Sequence, residues 1–211
     1  MSLWVIWLDR NNIVFDNYRP PMPVLFNSIP SMLETGKSLK PRKTLAQDSV
    51  QTWTAPPPMC WKINSDAAVS TDKQLSILSA VCRNSEGEII RSGVSVLDGC
   101  VNAEVAEIKA VIFGLSLVSN LQDMKVICEM DALNIANRLQ NPGRAEDYLQ
   151  VLTEDCMAAC LDRDVSFQFV KRSCNQVAHA LAKWGMFFGR DCVFDGNVPF
   201  PVNEIVTIDI H

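Results

Sequence analysis

KINSDAAV, residues 62–69, places a carboxylate inside a run that otherwise reads as a β-strand. Asp66 stands among Ile63, Ala67 and Val69, with no turn residue beside it. Strands are depleted in Asp, because its short polar side chain competes for backbone hydrogen bonds. A charge kept at such a position calls for a partner that stabilises it.

Outward from this stretch the pattern is regular. CWKINSDAAV (60–69) and LSILSAVCRN (75–84) read as two strands, and SEGE (85–88) as a tight turn around Gly87. EIIRSGVSVL (88–97) returns as a third strand, antiparallel because so short a connection cannot cross over. Residues 102–120 read as a helix with Asn102 as its cap, and Ala106, Ala110 and Gly114 form a small-residue stripe suited to close packing on a sheet. MKVICEM (124–130) is a buried fourth strand, ended by Asp131 and followed by the helical ALNIANRL (132–139). NPG at 141–143 breaks the chain, residues 146–162 form a further helix, and VSFQFVKR (165–172) alternates as a fifth strand. SCNQVAHALAKWGMFFG (173–189) is the last helix, with Ser173 and Gln176 fitting a capping box and Val177, Leu181, Trp184 and Phe188 as its apolar stripe. The predicted fold is α/β: a five-stranded mixed sheet, three antiparallel strands then two parallel, flanked by helices.

Before this region the composition changes. Eight of the eleven prolines fall between residues 20 and 58, so 19–58 reads as a Pro-rich linker. The expected organisation is a short helical segment at 1–18, the linker at 19–58, the α/β domain at 59–197 and a C-terminal tail at 198–211. The apolar runs are far too short to span a bilayer, and the N-terminus lacks the charged and small-residue flanks of a signal peptide. The expectation is a soluble intracellular protein with no membrane partner. The eight cysteines include no CxxC pair and only two histidines accompany them, which weighs against a structural zinc site and favours reduced thiols.

Residues 1–60 carry six Lys/Arg against four Asp/Glu, whereas 61–211 carry 13 against 20. An acidic domain is a poor non-specific nucleic-acid binder unless its acids hold metal. Glu107 borders the sheet-facing stripe of its helix, and Asp131 sits at the carboxyl end of a strand, where ligands gather in α/β sheets. If the first strand lies beside the fourth, Asp66, Glu107 and Asp131 converge. Three adjacent carboxylates repel one another, and a hard divalent cation relieves the repulsion. Two such ions ~3.5–4 Å apart can activate a water and stabilise the leaving oxygen of a phosphodiester. Each acid also has an ordinary reading: Asp66 as an edge-strand charge, Glu107 as a solvated helix charge, Asp131 as a helix cap.

KINSDAAV, AEIKAVIFGL, KVICEMDAL and VKRSCNQVAHALAKW resemble, in order and spacing, the ribonuclease H-like domain. The nearest resemblance is to the version at the end of plant non-LTR retroelement reverse transcriptases and in related stand-alone genes. LWVIWLDRNNIVF (3–15) resembles the segment that often precedes that domain, which makes 1–18 a retroelement remnant. The resemblance implies Asp66, Glu107 and Asp131 as catalytic acids and metal ligands. Glu104 competes for the second place, but Glu107, 24 residues before Asp131, matches the spacing of that branch. It further implies a two-ion Mg2+ site, with Mn2+ as the alternative ion, and hydrolysis of the RNA strand of RNA–DNA hybrids.

Two departures stand out. STDKQLSILSAV (70–81) lacks the glycines with which the family often approaches nucleic acid. The fourth acidic position carries His179, which recurs in the plant branch and joins the catalytic set without bringing a negative charge. Asn175, His179 and Lys183 lie at i, i+4, i+8 on one helix face, and with Lys171 and Arg172 they are the candidate nucleic-acid contacts (Asn175, Lys171, Arg172, Lys183). The alternative function is a domesticated, catalytically impaired module that binds nucleic acid or a protein.

Overall fold

The computed structural model describes residues 51–119, 124–143 and 146–209. They belong to a compact unit, Val50–His211. The expected N-terminal helical segment and the linker up to residue 50 lie outside the described residues.

Strands β1 (Cys60–Ser70), β2 (Leu75–Arg83) and β3 (Ile89–Asp98) form an antiparallel meander. Asn84 builds the β2–β3 turn: its Oδ1 accepts from the Glu86 and Glu88 amides at 3.1 and 2.8 Å, and Gly87 supplies the left-handed φ of 82°. Helix α1 (Ala103–Leu117) begins where the Asn102 side chain accepts from the Glu104 amide at 2.8 Å. It crosses to β4 (Lys125–Met130), which pairs parallel with β1. Helices α2 (Leu133–Gln140) and α3 (Tyr148–Ala158) lead to β5 (Val165–Phe169), parallel to β4. A 3-10 turn (Arg172–Cys174) precedes α4 (Gln176–Phe188). The chain closes with β6 (Cys192–Asp195) and α5 (Val202–Asp209). The sheet order is β5-β4-β1-β2-β3-β6.

One long helix lies on each face of the sheet. The small-residue stripe of α1 is buried, and a Cβ at Gly114 would stand only 2.8 Å from Ile63 Cγ2. On the other face a Cβ at Gly185 of α4 would stand 2.7 Å from Ile77 Cγ2. Val177, Leu181 and Trp184 bury the expected stripe of α4 against Ile77, Val81 and Val94. By the pleat, Lys62, Asn64 and Asp66 project from β1 on the α4 side, and Ile63 on the α1 side.

Several expectations change. The sheet has six strands, because Cys192–Asp195 pairs antiparallel with β3. Four residues are too few to register as a periodic pattern, and their partner is distant in sequence. The expected tail, 198–211, contains α5, whose Val202 is buried with Val198 against α4. The last part of the expected linker is part of the packed unit: Trp53 is 5% exposed, donates from Nε1 to Asn64 Oδ1 at 2.9 Å, and lies under the Arg83 guanidinium at 4.2 Å. Finally, Ser173 forms no capping box. Its hydroxyl donates to the Gln51 carbonyl at 2.7 Å, and α4 starts only after the 3-10 turn. Residues 146–162 are helical only over Tyr148–Ala158, with Asp147 capping the Gln150 amide. No helix among the described residues is long and apolar enough to cross a membrane.

Candidate active site

β1 runs between β2 and β4, and Asp66, paired with Ser79 of β2, is 1% exposed. Ser65 pairs with Met130 on β4. The next residues along, Asp66 and Asp131, therefore emerge side by side where β4 ends. Glu107 reaches the same point from the first turns of α1. One acceptor atom from each of Asp66, Glu107 and Asp131 lies within 4.8 Å of the others. Glu104 is not in this cluster; its Oε1 accepts from the Asn134 side-chain Nδ2 at the start of α2. Helix α2 has Ala132 as its N-cap with no side-chain bond, so Asp131 is not spent on capping.

The α4 end supplies the remaining groups. His179 Nδ1 is 2.8 Å from Asp66 Oδ2. Asn175 is 1% exposed, and its Nδ2 donates to the Ser65 carbonyl at 2.8 Å and to Asp131 Oδ1 at 3.2 Å. It ties α4 to β1 and orients Asp131, so it faces inward rather than towards a ligand in solvent. Arg172 Nη1 donates to Asp131 Oδ2 at 3.0 Å, and Nη2 lies 2.6 Å from each ring nitrogen of His179. Lys171 is exposed and lines a cavity of about 500 Å³ with Gln51–Thr54, Glu129, Phe169, Val170 and Cys174. Lys183 is partly exposed one turn beyond His179.

The electrostatics are those of crowded acids. Burial pushes Glu107 up to about 9, and the charges of Asp66 and Asp131 push the same way. Arg172 and the Ala67 amide oppose this only in part. Asp66 is also raised, first by burial, with the His179 hydrogen bond holding it back. Glu107 Oε2 is buried without a hydrogen-bond partner. An orphaned carboxylate oxygen beside two further acids fits a hard cation: metal–oxygen bonds of ~2.1 Å for Mg2+ to ~2.4 Å for Ca2+ bridge oxygens ~4.2–4.8 Å apart.

Behind the acids lies a polar cluster that the sequence reading did not single out. Lys62 Nζ is 2.7 Å from Glu129 Oε1, with both side chains 6% exposed. Asn64 Nδ2 donates to Glu129 Oε2 at 2.9 Å. Its signal was present: Lys62, Asn64 and Asp66 alternate along β1 and so share one face of what proves to be a central strand.

The fold and the site define a ribonuclease H-like α/β domain. Residues 64–185 match the family model described as reverse transcriptase-like, and the chain belongs to that family. A search of curated proteins finds no match. Among solved structures, the chain is similar to the N-terminal RNase H domain of rv2228c from Mycobacterium tuberculosis, solved fused to maltose-binding protein. The TM-score is 0.56 at 18% identity, over 61% of this chain and 94% of that one. It is also similar to LC11-RNase H1, isolated from compost by metagenomics, in complex with an RNA/DNA hybrid: TM-score 0.55, 19% identity, 61% and 98% covered. The foamy viral protease-reverse transcriptase in complex with an RNA/DNA hybrid matches at TM-score 0.50 and 18% identity, over 89% of this chain and 29% of that one. At these identities the structures establish the fold.

Proposed function

We propose that this domain is a divalent-metal-dependent nuclease of the ribonuclease H type, derived from a retroelement, that hydrolyses the RNA strand of RNA–DNA hybrids. The observation that carries the reading is the convergence of Asp66, Glu107 and Asp131 within 4.8 Å around a buried, unpartnered Glu107 Oε2. Two of the similar structures hold an RNA/DNA hybrid, which supports the substrate class.

Asp66, Glu107 and Asp131 would hold the ion, Mg2+ in first place and Mn2+ as the alternative. When bound, such an ion supplies an activated water and neutralises charge developing on the phosphodiester. The chain's own groups prepare the place. β1 fixes Asp66 on a rigid strand, Asn175 orients Asp131, and Glu107, ionised, would offer its unpartnered Oε2 to the ion. His179 hydrogen-bonds Asp66 Oδ2 and so sets the rotamer of the central acid. Exposed Lys171, beside Arg172, and partly exposed Lys183, one turn beyond His179, are the further positive charges that can meet phosphates.

A second reading, a module that binds without cutting, is favoured by Arg172 on Asp131 and by a histidine in place of a carboxylate at position 179. A labelled RNA–DNA hybrid incubated with the full chain and Mg2+, then Mn2+, separates the two. The nuclease reading expects cleavage in at least one metal, reduced about 10²–10³-fold by Asp131→Asn, the scale of losing one electrostatic stabiliser. Hybrid binding with no cleavage in either metal transfers the assignment to the binding module.

A further inference from the structure

Arg172 stands where the acid cluster meets α4. It is the second basic residue after β5 and opens the turn that delivers Asn175 and His179. Its Nη1 holds Asp131 Oδ2 at 3.0 Å, and its Nη2 lies against the His179 ring, equally far from both nitrogens. Its side chain is 58% exposed, whereas that of Asp131 is 8% exposed. The guanidinium is therefore anchored on the buried acid and open to solvent beyond it.

The free acceptors are distributed unevenly. Both Asp131 oxygens are engaged, Oδ1 by Asn175 and Oδ2 by Arg172, and Asp66 Oδ2 is engaged by His179. Glu107 Oε2 has no partner. One ion seated among the three acids satisfies Glu107. A second ion beside position 179 would need Asp66, the acid already in contact with His179, as its other ligand, and there it meets the fixed positive charge of Arg172 and an imidazole in place of a carboxylate. Arg does not lose its proton in proteins. Three ionised carboxylates are matched by one divalent ion and one guanidinium, so a second divalent ion would leave the site with surplus positive charge.

We propose that Arg172 takes the place of a second cation: the site holds one divalent ion among Asp66, Glu107 and Asp131, and the guanidinium supplies the other positive charge facing the phosphodiester. The planar fork suits this role, since donors on one side hold a carboxylate while those on the other remain available for phosphate oxygens. This inference rests on the metal-site reading above and concerns how many ions the site takes.

The test is Mn2+ binding to the full chain without nucleic acid, read by electron paramagnetic resonance of free Mn2+ and by calorimetry. The parent should bind one ion. Arg172→Ala should bind a second, or bind the first about tenfold more tightly, as expected when a like charge is removed ~3–5 Å from a partly exposed ion. Arg172→Lys should keep the parent's stoichiometry. Arg172→Gln serves if the alanine variant fails to fold. Two ions of comparable affinity in the parent, or unchanged stoichiometry and affinity in both neutral variants, overturn the proposal while leaving the metal site standing. A parent that binds no ion, behaving like Asp131→Asn, overturns the metal-site reading and this proposal with it.

Discussion

Two buried polar clusters share β1 and β4, and they are built on opposite terms. Lys62, Asn64 and Glu129, roofed by Trp53, form a closed set. One positive charge meets one negative at 2.7 Å, and hydrogen bonds run from the indole through Asn64 to the carboxylate. Lys62 also donates to the Thr54 carbonyl at 2.7 Å. Two residues further along β1, Asp66 joins Glu107 and Asp131 in an open set. Three acids face one another, one oxygen has no partner, and the positive charge they share is an exposed arginine. Burial alone therefore does not mark the cluster proposed as the active site. What marks it is uncompensated charge, since a structural network tends to be internally satisfied and a ligand site is not.

Breaking each cluster should give opposite signs. The largest effect is expected from Glu129→Ala. It strands Lys62 without its counter-charge and should cost about 3–5 kcal/mol of stability, the usual result of removing one partner of a buried pair. Urea unfolding measures it; a loss below about 1 kcal/mol would place this pair with exposed salt bridges. In the open cluster, Asp131→Asn removes a repelling charge. Metal-free stability should stay level or rise, on the order of 1 kcal/mol, set against the lost Arg172 contact. A large destabilisation would make the two clusters alike and remove the contrast.

Glu107 sharpens the comparison through protons. Its folded-state pKa is raised from 4.5 to about 9, so across that window the folded chain holds a proton that the unfolded chain has released. The metal-free domain should accordingly lose stability as pH rises through this range, and Glu107→Gln should flatten the slope. Ion binding near pH 7 should release about one proton, visible as a heat that depends on buffer ionisation. Glu107→Gln should release none. The smallest effect is expected from His179→Asp, which adds an anionic ligand where Arg172 already supplies charge. Mg2+-dependent cleavage should rise a few-fold, and metal preference should move from Mn2+ toward Mg2+. An unchanged preference would make His179 a support for Asp66 alone.

Much of the architecture was legible because it is written locally. The alternation of β1 to β3, the turn at Gly87, the Asn102 cap and the stripe of Ala106, Ala110 and Gly114 all depend on residues within one or two turns of each other. The acids were legible for a related reason: Asp66 contradicts its surroundings, and a residue at odds with its own strand invites a search for partners. The resemblance to the plant retroelement branch, through its spacing to Asp131, pointed to Glu107 over Glu104, and it is Glu107 that joins the cluster.

Other features have no local signature. β6 is four residues long and exists through pairing with β3. Trp53 sits in a Pro-rich stretch that composition assigns to a linker, yet Asn64 and Arg83 give its ring a place on the sheet. Ser173 and Gln176 have the spacing of a cap, but the Gln51 carbonyl claims the hydroxyl. Asn175 and Arg172 read as surface contacts, and the Ser65–Met130 register brings Asp131 to both of them. The sequence by itself determined the order of elements from β1 to α4 and singled out the three acids, because periodicity and residue type act over a few residues. Tertiary structure alone decided which polar groups satisfy one another, because that depends on strand register and on contacts between segments as far as 122 residues apart.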